Sequence, residues 1–396
     1  DIANFLGTVE TADDPLNKMK GSIEGVSVQM KELTRQQQDV ANFKNQLLDF
    51  FSIGSAVQLF KRAVSPAIET VKELDATMTE AAVVTEFSVG DMWDKLPIYA
   101  KAANNLGSTI NDLYQATTLY YQQGLKTNEA MAVGVETIKM ARIANMDATE
   151  ATTAMTAALR GFNMEVNEMN AKTVNDVYSK LAAITASDTS QIATAMSKTA
   201  SIASSANMEL TTTSALLAQI IETTQEAPET AGTALKTIIA RFTEVKKLFS
   251  QGQLTGTDSE GEVVNINKID AALKTVGLSL TKFLQGTEGI DSVFLNLASK
   301  WETLDLATQR YIATTAAGSR QQSRFLAMMG DYKRTMELVT AANNSAGASE
   351  EQFGKTLDGL KAKTNELKNA WNSFTMGLAN NQIIKVTVDG LTLLLN

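Results

Sequence analysis

The chain has 396 residues, 44% of them hydrophobic and 20% charged, a balance that buries a core and excludes wholesale disorder. A net charge of −9 sets the surface against nucleic-acid phosphates, so stable nucleic-acid binding is not expected. With no cysteine and no histidine, the sequence excludes disulfides, thiol chemistry, zinc sites built on either residue and every imidazole relay.

The length exceeds what one hydrophobic core organises, so two or three units are expected. No stretch approaches the roughly eighteen consecutive apolar residues of a membrane span, and the start carries no signal-peptide pattern. The chain opens on Asp1 and closes on Leu393-Leu394-Leu395-Asn396 within an apolar pattern, and it reads as a segment of a longer polypeptide. Only four prolines occur, Ala, Leu, Met, Lys, Glu and Gln abound, and strand-like alternation is almost absent, so the fold class is all-α. Four stretches follow along the chain. Residues 1–87 form long helices of coiled-coil type, 88–250 a helical-hairpin core, 251–345 a loop with a continuation of that core, and 346–396 a heptad helix and the start of an apolar segment.

In the first stretch, steps of three and four residues run through Leu16, Met19, Ile23, Val26, Met30, Leu33, Gln37, Val40, Lys44, Leu47 and Phe51, nine of the eleven being apolar. Such a seam asks for a partner helix along its length, within or between chains. Self-association through Met30, Leu33, Val40, Leu47 and Phe51 is the expectation. Gln37 and Lys44 fall on the seam, where polar residues fix register and oligomer number at some cost in stability. The alternative is a surface helix of a bundle, with Lys44 reaching solvent.

The middle of the chain reads as helices of about 12 to 20 residues separated by Gly or Asn turns, the pattern of stacked helical hairpins. One device recurs: Asn145-Met146-Asp147, Asn163-Met164-Glu165 and Asn207-Met208-Glu209 each lie between two helical patterns. The physical reading is a helix ended by Asn in the left-handed conformation, a Met packed back on the hairpin, and an acid favouring the next helix start. Gly124 offers a glycine variant of the same turn. Residues 251–265 interrupt the helices with Gly, Thr and acids, and read as an exposed loop or short hairpin. There Asp258, Glu260 and Glu262 alternate in the manner of a calcium loop, but the closing Glu is missing and a solvated turn is the reading.

A second heptad run spaces Phe353, Leu357, Leu360, Thr364, Leu367, Trp371, Phe374 and Leu378 by four and three. Leu357, Leu360, Leu367, Trp371 and Phe374 are its expected packing positions, with lysines over the outer face. Beyond Asn380-Asn381 the apolar pattern Ile383 to Leu395 forms another helix or opens a longer apolar segment.

Several blocks carry a resemblance. The most specific is Ala227-Pro228-Glu229-Thr230-Ala231-Gly232-Thr233-Ala234-Leu235-Lys236. Glu260 to Ile266, Lys300-Trp301-Glu302-Thr303-Leu304, Gln309 to Thr314, and Ala316-Ala317-Gly318-Ser319-Arg320-Gln321-Gln322-Ser323-Arg324 follow in order. With these, residues 74–330 resemble the core region of tail tape measure proteins from long, non-contractile phage tails. Pro228, Gly232, Thr233, Leu235, Gly318, Arg320 and Arg324 are the residues that carry the motif. Read without the family, Pro228 suits a first helical position, and Ala227, Ala231, Gly232 and Ala234 form a small-residue face for a close helix approach. Gly232 costs about 1 kcal/mol against Ala inside a helix, so packing should offset it. Arg320 and Arg324, one turn apart, face a partner's carboxylates or solvent.

The resemblance implies a virion protein of the tail lumen, assembled in the bacterial host cytoplasm, present in several copies and as a trimer by preference. It implies contact with the major tail tube protein, tail assembly chaperones and tail-tip or baseplate hub proteins, and with the host membrane through parts outside these residues. Tail length follows from polypeptide length, and the protein leaves at genome ejection. A ruler needs no active site. No catalytic, cofactor or metal-binding residue is assigned, because the acids are scattered without a recognisable pair. A cytoplasmic helical coiled-coil scaffold or adaptor would share the composition and the heptads but not the ordered blocks.

Overall fold

The computed structural model describes residues 72–357, together with 359, 363–365, 368 and 369. The first heptad run, Leu16 to Phe51, therefore lies outside the described residues, as do Leu360, Leu367, Trp371 and Phe374 of the second. The chain divides into two compact units, residues 1–104 with 364–396, and Asn105–Lys363.

In the first unit, residues 72–83 are helical and α1 spans Val89–Asn105. Ser88 and Asp91 exchange caps at the start of α1: Ser88 N donates to Asp91 Oδ2 at 2.8 Å and Asp91 N to Ser88 Oγ at 3.2 Å. Trp93 Nε1 donates to Asp75 Oδ1 at 3.3 Å, tying α1 to the preceding helix.

The second unit is a stack of helices: α2 Ile110–Gln122, α3 Thr127–Ala144, α4 Ala148–Gly161, α5 Glu168–Ala182, α6 Thr189–Ser205, α7 Leu210–Thr224 and α8 Pro228–Ser250. A two-stranded antiparallel hairpin follows, β1 Thr255–Thr257 and β2 Val263–Asn265, with Gly256 opposite Val264. Then come α9 Ile266–Lys274, α10 Thr281–Leu284, α11 Ile290–Trp301, α12 Leu306–Ala317, α13 Gln322–Met329, α14 Tyr332–Asn343 and α15 Ala348–Leu357. The all-α expectation holds, and among the described residues the one pair of strands falls where the Gly- and acid-rich segment put it. Among the described residues no helix is long and apolar enough to cross a membrane.

The Asn-Met-acid triplets do what their chemistry asks. Asn145, Asn163 and Asn207 all take positive φ, at 52°, 54° and 60°. The next residue then turns its amide back on the helix: Met146 N donates to Ala141 O at 2.9 Å, Met164 N to Leu159 O at 2.8 Å, and Met208 N to Ala203 O at 2.9 Å. This six-to-one bond satisfies a carbonyl that the helix end leaves open, and Met208 is buried while Met146 and Met164 are half-buried. Leu125 N repeats the bond to Tyr120 O at 3.1 Å behind Gly124. The acids follow the reading less uniformly. Asp147 caps α4, accepting from Glu150 N at 2.7 Å, whereas Asn167 and not Glu165 caps α5, and Glu209 stands at the cap of α7 without a side-chain bond. Asp, Asn and Ser reach the N3 amide with a short side chain; the extra methylene of Glu makes it a poor cap.

Packing pairs α6 with α8 and α4, α2 with α3, α7 with α14, and α5 with α3 and α15. The later half is held by an edge-to-face aromatic chain: Phe242 meets Phe283 at 6.1 Å and Phe294 at 5.2 Å, Phe294 meets Phe325 at 6.3 Å, and Phe325 meets Trp301 at 6.0 Å.

Candidate functional site

Helix α8 begins where Pro228 fixes φ and needs no amide partner, so the turn after Gln225 can enter it without a side-chain cap. One turn on, Gly232 lies directly on α6: a Cβ there would stand 2.3 Å from Ala195 O. Thr199 Oγ1 donates to Gly232 O at 2.8 Å, so the contact is a close backbone approach sealed by a hydrogen bond across it. Ala231, Ala234 and Leu235 are buried on the same side, while Thr233 is exposed and Ala227 lies outside the contact. The small-residue face read from the sequence is this crossing.

Two turns further, the apolar run Ile238-Ile239-Ala240 is broken by Arg241, which is 4% exposed. Its guanidinium forms an ion pair with Asp258, donates from Nη2 to Val263 O at 2.8 Å, and reaches Thr315 O at 3.5 Å. The pairing and hydrogen bonds offset the cost of burying the guanidinium, while its Nε stays without a partner. Asp258 in turn accepts the amides of Glu260 at 3.0 Å and Glu262 at 2.8 Å, closing the tip of the β1–β2 hairpin.

The other two acids of that tip also turn to protein donors. Glu262 accepts Ser319 N at 2.8 Å and the Ser319 hydroxyl, and these bonds hold its carboxyl below the usual range. Glu260 accepts Gln321 Nε2 at 2.9 Å. Gly318, at φ 82°, permits the approach, since a Cβ there would lie 2.2 Å from Glu262 Oε2. The solvated turn expected for Asp258, Glu260 and Glu262 is thus a docked one, because each carboxylate meets a different donor on α8 or the 318–321 turn. Among the described residues no three acid side chains are grouped to hold a metal ion.

Arg324 forks onto Glu226, Nε to Oε2 at 2.8 Å and Nη2 to Oε1 at 2.9 Å, joining α13 to the turn before α8. Arg320 is exposed, and its carbonyl accepts Arg324 Nη1 at 3.1 Å. The block around Trp301 joins the same assembly: Trp301 packs on Phe325, and Gln309 Nε2 donates to Trp301 O at 2.9 Å. The blocks read as one motif therefore meet in space around Arg241 and α8. What sequence reading missed is Arg241 itself, with Thr199 and Glu226; the signal available was a lone cation inside the apolar run 238–242. The arrangement offers no free carboxylate pair aimed into a cleft. It clamps a hairpin and a turn to one helix, which is positioning and not reaction chemistry. Leu357, from the second heptad run, ends α15 half-buried.

Comparison with known proteins agrees with the motif reading. Over 255 residues the chain is 26% identical to a protein called Tape measure protein from Pneumococcus phage Dp-1, an alignment covering 63% of this chain and 20% of that protein. The chain thus spans about a fifth of the length of the curated relative it matches. No solved structure matches it. The family described as phage-related minor tail protein matches residues 100–318, more than half of the chain and the stretch that holds α8, the hairpin and Gly318, so the chain belongs to the phage-related minor tail protein family.

Proposed function

We propose that this chain is a segment of a tail tape measure protein, a structural component that occupies the tail tube lumen in several copies, sets tail length during assembly and leaves at genome ejection. The observation that carries the reading is the family match over residues 100–318, coinciding with the motif blocks that fold around Arg241. The phage relative's own name supports it, as does a helical build in which every recognised block serves packing.

Length enters through geometry. A helix rises about 1.5 Å per residue, so α8, the 23-residue helix at the centre of the motif, reaches only about 35 Å. Residues 105–363 fold back on themselves, and the measuring length is supplied by other parts of the parent polypeptide. The heptad runs, with Met30 to Phe51 in one and Leu357 to Phe374 in the other, supply the self-association, as a trimer. Partners in this reading are the major tail tube protein, assembly chaperones, tail-tip or baseplate hub proteins and, beyond these residues, the host membrane. The net charge of −9 suits an occupant that must not adhere to the DNA following it.

The test is a series of in-frame deletions in the parent gene, inside and outside residues 105–363, with tail lengths read by electron microscopy. Tails shorten in proportion to residues removed outside the folded unit, whereas deletions inside it abolish tails or leave them irregular. Unchanged lengths across deletions of different size reject the reading.

A further inference from the structure

Helix α15 lies on α3 and α5, and the contact has an unusual composition. Of the ten residues in α15 only Ser349 and Phe353 are buried. Beneath it α3 presents Glu136, Lys139 and Arg142, and α5 presents Lys172, Asn175 and Asp176.

The attachments are polar. Asp176, itself buried, accepts Gly347 N at 3.0 Å, Ser349 N at 2.9 Å and the Ser349 hydroxyl. Lys139 bridges Glu136, at 2.8 Å, to Glu350 on α15, and Arg142 Nη2 reaches Thr356 O at 3.4 Å. The satisfaction is incomplete. Arg142 Nε, Asn175 Oδ1 and Lys172 Nζ are buried without a hydrogen bond, although Lys172 Nζ stands 3.4 Å from Asp176 and 3.9 Å from Glu350. Buried polar atoms left in this state are costly when the contact is closed and are rehydrated when it opens.

We propose that residues 344–357 form a releasable strap: the loop and α15 detach from α3 and α5 as one unit while the α2–α8 stack stays folded, with Asp176–Ser349 and Lys139–Glu350 as the latch. Four features point the same way. Phe353 is the one buried apolar side chain of α15, the unbonded Arg142 Nε and Lys172 Nζ belong to side chains that reach α15, the latch groups lie at the start of α15 where the loop enters it, and the Gly347 hinge takes φ 85°. Elements bearing few buried apolar contacts open at lower free energy than the global transition. The strap carries Phe353 and Leu357, the first two positions of the second heptad run, so its release frees the start of that run from the stack. The inference does not depend on the tail role.

Hydrogen exchange with mass spectrometry on the whole 396-residue chain tests it, comparing peptides from α15 with peptides from α6, α7 and α8. In the unmodified chain, the amides of 348–357 exchange faster than those of α7 and α8, by a local opening. Ser349→Ala with Glu350→Gln, both substitutions on the strap, raises exchange in 348–357 by about tenfold and leaves α6–α8 unchanged. A conservative Ser349→Thr returns part of the protection. Equal exchange of α15 and α7 in the unmodified chain overturns the proposal. So does a double variant that leaves 348–357 unchanged, or one that raises exchange throughout the stack to the same degree.

Discussion

Where α8 crosses α6, the two backbones approach until a single added carbon at Gly232 would sit inside Ala195 O, and eleven residues of α8 are buried. Where α15 lies on α3 and α5, charged side chains fill the interface and two residues of the helix are buried. The first contact admits one arrangement, because small residues let backbones touch and nothing can rearrange without moving a helix. The second is held by groups that water also satisfies, so its closed and open forms differ little in free energy. The family motif sits on the rigid contact.

The largest expected effect attacks the rigid side. Arg241→Ala leaves Asp258 buried at 2% exposure without its partner and removes the donor to Val263 O, so stability falls by about 3–5 kcal/mol in urea unfolding. Arg241→Met with Asp258→Asn recovers much of that loss, since no buried charge is then left unpaired and the Asn side-chain oxygen still accepts from Glu260 N and Glu262 N. A cost for the double variant equal to that of the single one would mean that the ion pair matters for more than its own satisfaction.

Next comes Gly232→Ala. Helix propensity alone predicts a gain of about 1 kcal/mol, but the new methyl would meet Ala195 O at 2.3 Å, so the net change is a loss of about 1–3 kcal/mol. A stabilised variant would show that the crossing is looser than it stands. Smaller again is Asn207→Ala, which forces a Cβ-bearing residue without a local hydrogen-bonding side chain to hold φ 60°, for a loss of about 1 kcal/mol, while Asn207→Gly is neutral within about 0.5 kcal/mol. Thermal melting of the pair separates backbone conformation from side-chain contacts.

These sites also show how much was legible beforehand. The Asn-Met turns and the hairpin at 251–265 follow from local chemistry that short stretches carry whole, and Gly232 betrayed a close approach because nothing else justifies glycine in a helix. The left-handed Gln225, at φ 52°, escaped, since glutamine is no common residue there; its side chain compensates by donating from Nε2 to Glu222 O at 2.9 Å. Arg241 escaped for a different reason. Its partner is 17 residues away across a turn that reads as solvated, and only the folded hairpin brings the carboxylate inward. Arg324 was readable as a carboxylate binder, but the acid proved to be Glu226 of the same chain, 98 positions back. The strap was equally hidden, because Asp176 and Ser349 are 173 positions apart and neither residue is unusual in a helical sequence.

The smallest effect is a pH response confined to the strap. Burial raises the Asp176 carboxyl, but the Ser349 hydroxyl and the amides of Gly347 and Ser349 outweigh it, with Lys172 adding to them, and the net shift is downward. The charged groups around it are Lys172 on its own helix, 3.4 Å away, Glu350 of α15, which pairs with Lys172 at 3.9 Å and with Lys139, and the Glu136–Lys139 pair of α3. A depressed carboxylate gives its full stabilisation above the ordinary aspartate value of about 3.9, and loses it as pH falls through the folded value. Exchange of 348–357 relative to α7, corrected for intrinsic rates, should therefore stay constant from pH 7 to about pH 5 and rise below about pH 4. In Asp176→Asn the ratio is already raised at pH 7, and the further rise in acid is smaller than in the unmodified chain. A rise near neutrality would assign the latch to another group, and a ratio that stays constant to the lowest pH at which α7 remains folded would remove Asp176 from it.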